Sequence, residues 1–226
     1  MNAVTTIPSK RLNRRDVWNA ELLRGCQFTG KYEFPILPVC NTVPETLIAF
    51  SDTRTNLGDG SFIHTFEDDY KFEQIWRYPR RSLARVKAYG GAIAPDFSVY
   101  RAMPLAEQIH NVYRSRAIGY WWSQEGMTVI PSVRWGDSRT FEFCFDGIPK
   151  GSVVATGTHG CVKRRSDKQH FADGFLIMLE RIRPKVVIIY GSDNDCFIPS
   201  LFVNGYDVEI LTFQSKISKA HMKKAM

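Results

Sequence analysis

Apolar runs that end in polar or glycine-rich residues recur four times between residues 89 and 193. Segments with helical spacing separate these runs. Continuous apolar strands that alternate with helices are typical of a parallel sheet, and the carboxyl ends of such strands open onto a site. The pattern therefore predicts an α/β fold whose functional residues follow the strands. The four runs occupy residues 92–98, 128–137, 153–160 and 186–193.

The remaining elements follow from patterns of the same kind. Apolar side chains recur every three to four residues through 105–121 and 171–182, which predicts two long helices. Pro104 fits the first turn of the earlier helix, and Ser166 with Gln169 forms a capping box at the start of the later one. Shorter helices are predicted within 17–30, 70–79 and 82–89, with Pro79 as a break, and further strands at 36–39, 46–50, 62–66 and 208–213.

The order of these elements limits the topology. Alternating strands and helices imply right-handed crossovers and a mainly parallel sheet. We favour an irregular or incomplete TIM-like barrel, because polar residues follow every strand and a barrel mouth would use all of them. The alternative is an open doubly wound sheet with its site at one switch point. A single α/β domain is expected over 17–213, between a basic N-terminal arm at 1–16 and a basic C-terminal tail at 214–226.

Composition and charge indicate which classes of partner the protein could bind. The 226 residues carry a net charge of +7, which favours nucleic acid, nucleotides or another polyanion, or serves solubility alone. The five cysteines include no CxxC pair, so we expect a reducing cytoplasm rather than a disulfide framework. No apolar run reaches the roughly 20 residues of a membrane span, so we expect no membrane partner. A protein partner is compatible with the aromatic content of 13%, and the sequence leaves the oligomeric state open.

Four short motifs carry a resemblance to a known family. With FEDDYKFE at 66–73, APDFS at 94–98, VIPSVRW at 129–135 and FDGIP at 145–149, the chain resembles an uncharacterised bacterial family. That family is classed only as a domain of unknown function and is found in phages and integrated mobile elements. The resemblance covers residues 34–192 and implies a mobile-element setting without an established activity. More remotely, polar strand ends on a TIM-like frame are similar to the guanine-exchanging tRNA transglycosylases, although the chain has no cysteine cluster for that family's zinc.

Acidic residues follow two of the predicted strands. Asp68 and Asp69 come after one strand and Asp96 ends another, and all three are candidate catalytic residues. His64, Asp68 and Asp96 are candidate ligands for Mg²⁺ or Mn²⁺, because hard cations prefer oxygen ligands. A metal there would activate water for phosphodiester or glycosidic chemistry, and without metal one crowded carboxylate would act as a general acid. The alternatives are a helix cap near Tyr70 and a turn at Asp96.

A glycine-containing loop and a basic triplet follow the third run. Glycines let a backbone approach an anion closely, and a helix start offers free N–H groups. This pattern predicts phosphate binding or an ordinary strand-to-helix loop, and it lacks the spacing of a P-loop. His159 is a candidate general base, or it makes a structural hydrogen bond. The candidate ligand-binding residues here are Gly157, Thr158, Gly160, Lys163, Arg164 and Arg165.

Aromatic residues complete the predicted mouth. Arg134 and Trp135 end a strand, where they would stack a base or a sugar, and Tyr190 lies on the far side of the mouth. Trp121 and Trp122 are predicted to form the core and the rim of an amphipathic helix instead.

Two classes of function remain open on the sequence. One is an enzyme that acts on nucleic acid or nucleotides, as a metal-dependent hydrolase or a base-exchange enzyme. The other is a non-catalytic binding factor that sequesters a nucleotide or nucleic acid, or engages a host protein.

Overall fold

The computed structural model describes residues 16–53, 60–158, 165–191 and 205–215, and the structural statements below concern those residues. They form an α/β fold in which strands and helices alternate, as the apolar pattern predicts. Its strands are β1 (Phe28–Thr29), β2 (Phe34–Pro35), β3 (Leu47–Ala49), β4 (Phe62–His64), β5 (Gly91–Ile93), β6 (Val129–Ile130), β7 (Val153–Gly157), β8 (Val186–Gly191) and β9 (Glu209–Gln214). Its α-helices are α1 (Gln74–Arg77), α2 (Pro79–Val86), α3 (Leu105–Gln124) and α4 (Arg165–Ile182).

The strands from β3 to β9 follow one another in space in the order of the sequence. β3, β4, β5 and β6 form one parallel sheet, and β7, β8 and β9 form a second. A parallel bridge between Ser132 and Ala155 joins the two, and there the Val133 amide donates to the Ala155 carbonyl at 2.8 Å. The short pair β1 and β2 is antiparallel and separate.

The mainly parallel sheet is thus confirmed, whereas a closed barrel is not. No pairing joins β9 to β3 within the described part of the chain. A doubly wound sheet would need a reversal of strand order, and the order from β3 to β9 shows none.

The two faces of the strands bury different cores. Apolar side chains from every strand between β3 and β9 meet in one inner cluster, which includes Phe62, Ile130, Val153 and Ile188. The alternate side chains, such as Ile63 on β4, pack against α1, α2 and α3, and those of β7 and β8 pack against α4. Alternation along each strand therefore gives one face to the helices and the other to the inner cluster.

Helix α3 is held by a buried arginine that its apolar pattern does not reveal. Arg116 is 1% exposed and donates to three backbone carbonyls, those of Ser132, Cys144 and Asp146, at 2.8–2.9 Å. Burial lowers the pKa of Arg116 to about 10. Its guanidinium thereby holds three points of the connection between β6 and β7 against α3. Trp121 and Trp122 on α3 are both buried, so both belong to the core and neither lies at a rim.

Several predicted element boundaries are wrong. Residues 36–39 form no strand, and the short strand in this region is β2 instead. Pro79 begins α2 rather than only ending α1, because a proline loses no hydrogen bond at the first helical position. Ser166 lies inside α4, and Gln169 donates to Asp173 instead of capping the helix. No helix in the described residues is long and apolar enough to cross a membrane.

Candidate functional site

The carboxyl edge of the parallel strands brings several predicted site residues together. Asp96 follows β5, Arg134 follows β6 and Gly157 ends β7. Arg134 Nε donates to both carboxylate oxygens of Asp96, at 3.0 and 3.2 Å, and its Nη2 is also paired with Oδ2. Arg134 Nη1 donates to the Gly157 carbonyl at 3.1 Å. The expectation that parallel strand ends converge is met at this point.

The Asp96 carboxylate is already surrounded by donors. Its Oδ1 accepts from Ser132 Oγ at 2.6 Å, and its own amide donates to Thr65 Oγ1 at 2.7 Å. Asp96 is 5% exposed. The carboxylate therefore joins β5 to β6 and, through Arg134, to β7. A catalytic role for Asp96 stays a prediction, but this geometry gives it a cross-strand structural role first.

Asp69 lies beside this network, on the short 3₁₀ turn Asp69–Lys71. Its two carboxylate oxygens accept from the Ser98 hydroxyl at 2.7 Å and the Ser98 amide at 3.1 Å. Burial raises the pKa of Asp69 above its ordinary value. The charge of Asp96 raises it further, while the Ser98 bonds and Arg114 oppose the rise. Such an environment suits a carboxyl that exchanges a proton nearer neutral pH.

Asp68 and His64 have different surroundings from Asp96. Asp68 is largely exposed and pairs with Lys71 at 3.0 Å; it precedes the 3₁₀ turn without capping it through its side chain. His64 is 2% exposed, and its Nδ1 accepts from the Phe66 amide at 3.1 Å. The described residues include no group of three or more His, Cys, Asp or Glu side chains that could hold a metal ion. The structure thus does not unite His64, Asp68 and Asp96 as one set of ligands.

A cleft opens at the carboxyl ends of β3, β4, β8 and β9, and we name it the mouth cleft. Its cavity volume is about 250 Å³. On its inner side the His64 ring lies 4.2 Å from the Tyr190 ring, and the Phe66 ring lies 5.4 Å from Tyr190. The mouth cleft is lined by Ala49, Ser51, Asp52, His64, Phe66, Glu67, Asp68, Lys71, Tyr190 and Ser215.

A second cleft, of about 370 Å³, lies outside β5 and β6 against the start of α4, and we name it the outer cleft. Trp135 lines it but is only 6% exposed, and its indole Nε1 donates to the His170 carbonyl at 3.2 Å. Trp135 is therefore part of a wall, and ring stacking on a ligand remains a prediction. The outer cleft is lined by Val99, Tyr100, Arg101, Ala102, Trp135, Gly136, Asp167, His170 and Phe171.

The predicted anion-binding loop is described only at its two ends. A Cβ on Gly157 would lie 2.8 Å from the Phe66 ring, so glycine allows the end of β7 to pack closely against Phe66. The Thr158 amide donates to the Tyr190 carbonyl at 3.0 Å, and Arg165 is exposed at the start of α4. The candidates His159, Gly160, Lys163 and Arg164 lie outside the described residues.

Sequence reasoning missed the hydroxyl residues of this edge. Thr65, Ser98, Ser132 and Tyr100 all bond to the predicted acidic residues or to one another. Their one signal in the sequence is position, because each stands within a few residues of a predicted strand end.

Comparison with known proteins places the chain in a family. The family model described as "Domain of unknown function (DUF4417)" matches residues 26–213. The chain is 42% identical over 171 residues to the Gene 1 protein of Mycobacterium phage L5, covering 74% of this chain and 75% of that protein. It is 40% identical over 171 residues to the Gene 1 protein of Mycobacterium phage D29, covering 74% of this chain and 63% of that one. No solved structure matches the chain.

These matches confirm the resemblance carried by the four motifs, all of which lie within the matched region. The chain belongs to DUF4417, a family described as a domain of unknown function.

Proposed function

We propose that this protein binds a nucleotide or nucleic acid at the carboxyl edge of its parallel sheet. The observation that carries the proposal is the mouth cleft of about 250 Å³, which lies where parallel strands of α/β proteins present their ligand sites. Its similarity to phage proteins adds a setting in which nucleic acid is abundant. We also infer that the strands from β3 to β9 form an incomplete TIM-like barrel with this cleft at its mouth.

The lining of the mouth cleft suits the parts of a nucleotide. The buried rings of His64, Phe66 and Tyr190 form an aromatic inner wall, against which a base would pack. Lys71, at the rim, supplies an ammonium group for a phosphate, and its present partner is the exposed Asp68. The carboxylates of the cleft accept hydrogen bonds from base amino groups or sugar hydroxyls, and they would repel a phosphate placed beside them.

Substitution of Lys71 tests this placement. Lys71→Gln removes the ammonium group at the rim and should weaken binding of ATP and of a fluorescein-labelled single-stranded oligonucleotide by about fivefold, the equivalent of about 1 kcal/mol for one exposed charge contact. Calorimetry and fluorescence anisotropy at fixed salt, with and without Mg²⁺, measure the two affinities.

Lys87 provides a matched control. It makes a similar lysine–carboxylate pair with Glu125 at 3.1 Å, but it follows α2 and precedes β5, at the opposite edge of the sheet. Lys87→Gln should leave both affinities unchanged. Equal losses in the two variants, or no binding of either ligand to the unmodified protein, would overturn the proposal.

A further inference from the structure

A chain of hydrogen bonds connects an exposed tyrosine to a buried carboxylate at the carboxyl edge. Tyr100 is 62% exposed, and its hydroxyl lies 2.9 Å from Ser98 Oγ. Ser98 Oγ in turn lies 2.7 Å from Asp69 Oδ1. The Ser98 amide holds the other carboxylate oxygen at 3.1 Å, so the carboxylate is fixed relative to the serine.

The direction of the hydrogen bonds follows from the number of protons. An ionised carboxylate only accepts, and a serine hydroxyl has a single hydrogen to donate. In the structure Ser98 Oγ is the donor towards both Asp69 Oδ1 and the Tyr100 hydroxyl. Once its single hydrogen is given to the ionised Asp69, Ser98 Oγ is left to accept from the Tyr100 hydroxyl. A proton that leaves Tyr100 has a continuous path through Ser98 to Asp69.

Asp69 is placed to receive that proton. Its Oδ1 lies 2.7 Å from Ser98 Oγ, and the Ser98 amide donates to its Oδ2 at 3.1 Å. The tyrosine end of the path stays open to a ligand, because Tyr100 lines the outer cleft.

One arginine lines the outer cleft together with the tyrosine. Arg101 follows Tyr100 in the sequence, lines the same cleft and pairs with Asp167. A phosphate in the outer cleft would thus meet the Arg101 guanidinium, which binds phosphate oxygens through paired N–H donors.

We propose that Tyr100 is a nucleophile that attacks a phosphodiester of nucleic acid bound at this edge, with Ser98 and Asp69 as its proton relay. This inference rests on the proposed function, because it names the reaction that the bound nucleic acid undergoes. The Tyr100 oxygen forms a bond to phosphorus, and the bond from phosphorus to the leaving sugar oxygen breaks. The tyrosine proton moves to Ser98 as the serine proton moves to Asp69. The leaving oxygen takes a proton from water, and the product is a phosphotyrosine ester.

A small activated diester tests the chemistry without knowledge of a target sequence. The full-length protein is incubated with thymidine 5′-(p-nitrophenyl phosphate), and release of p-nitrophenol is followed by absorbance. Mass spectrometry of the digested protein then locates the nucleotidyl group. We expect a burst of one p-nitrophenol per protein and a label on Tyr100. A protein that binds the oligonucleotide but takes no label, or takes it on another residue, overturns the inference.

Tyrosine variants separate this role from a structural one. Tyr100→Phe should abolish the label while retaining oligonucleotide affinity. Tyr70 is also exposed and follows Asp69 directly in the sequence, so Tyr70→Phe is the matched control and should be labelled at the normal rate. Normal labelling of Tyr100→Phe would disprove the assignment. Absence of oligonucleotide binding in every variant, with labelling intact, would contradict the proposed function alone.

The two relay residues have a separate readout. Ser98→Ala and Asp69→Asn should each slow labelling by about 100-fold, the lower range for general base catalysis. Asp69→Glu keeps a carboxylate and should recover part of the labelling rate that Asp69→Asn loses, which a change in folding alone would not give. Equal labelling rates in Asp69→Asn and Asp69→Glu would exclude Asp69 as the proton acceptor.

Discussion

At the scale of single residues, Asp96 combines features of a site residue and of a structural one. It stands at the carboxyl edge, where ligands of parallel sheets bind, yet its carboxylate is occupied by Arg134 and Ser132. An ion pair between a buried carboxylate and a largely buried guanidinium is costly to break, because removal of one partner leaves the other charge unpaired. The pair therefore holds β5 and β6 in place whatever reaction occurs nearby.

Asp96→Asn should lower the free energy of unfolding by about 3 kcal/mol, since Arg134 loses its anionic partner in a largely buried position. Urea denaturation followed by circular dichroism measures the loss. Asp137→Asn is the matched control, because Asp137 pairs with the half-exposed Arg139 at 3.0 Å, and its loss should be about 1 kcal/mol or less. Similar losses in both variants would contradict a special role for the buried pair.

At the scale of elements, α4 is fitted to the wall of the outer cleft through a glycine. A Cβ on Gly174 would lie 2.6 Å from Cε2 of Trp135. Glycine is otherwise unfavourable within a helix, by about 1 kcal/mol relative to alanine. Its presence in the middle of α4 is explained by the indole that packs directly against the helix backbone.

Gly174→Ala should therefore destabilise the protein despite the better helix propensity of alanine. The gain of about 1 kcal/mol is smaller than the cost of about 1–3 kcal/mol for crowding a packed core, so we expect a net loss of about 1 kcal/mol by urea denaturation. The same substitution in a Trp135→Phe background should cost less, because the smaller ring relieves the contact. A stabilising effect of Gly174→Ala alone would show that the helix shifts away from Trp135.

Most of the helices and strands could be predicted from the sequence, whereas the side-chain pairs between them could not. The long helices α3 and α4 and the strands from β5 to β9 follow from periodicity, because each buries a continuous face. The approach of Asp96 and Arg134 follows from the geometry of parallel strand ends. Their pairing, by contrast, depends on rotamers and on the register between β5 and β6, which no local pattern encodes. The buried Arg116 is unpredictable for a similar reason, since its partners are backbone carbonyls far along the chain.

At the scale of the whole molecule, the positive charge is concentrated at the ends of the chain. Residues 1–15 and 216–226 contain eight lysines and arginines and no acidic residue. These eight exceed the net charge of +7, so residues 16–215 together carry a net charge of −1. The basic composition that favours a polyanion therefore belongs to the terminal segments, whereas the mouth cleft contains Asp52, Glu67 and Asp68. Affinity for a nucleic acid backbone and recognition of a nucleotide should be separable.

Replacement of all eight terminal cations by glutamine tests this separation in the full-length chain. If all eight contact phosphates of a single strand, the oligonucleotide affinity of the unmodified protein should fall with salt. The slope of log K against log salt should be about −6, from about 0.7 per contact. The variant with all eight substitutions should bind the oligonucleotide weakly, with a slope near zero. It should bind ATP as before, because the mouth cleft is intact. Fluorescence anisotropy at salt concentrations from about 50 to about 300 mM gives the oligonucleotide affinity and its slope. A slope that stays steep in the variant would place the phosphate contacts on residues 16–215 instead.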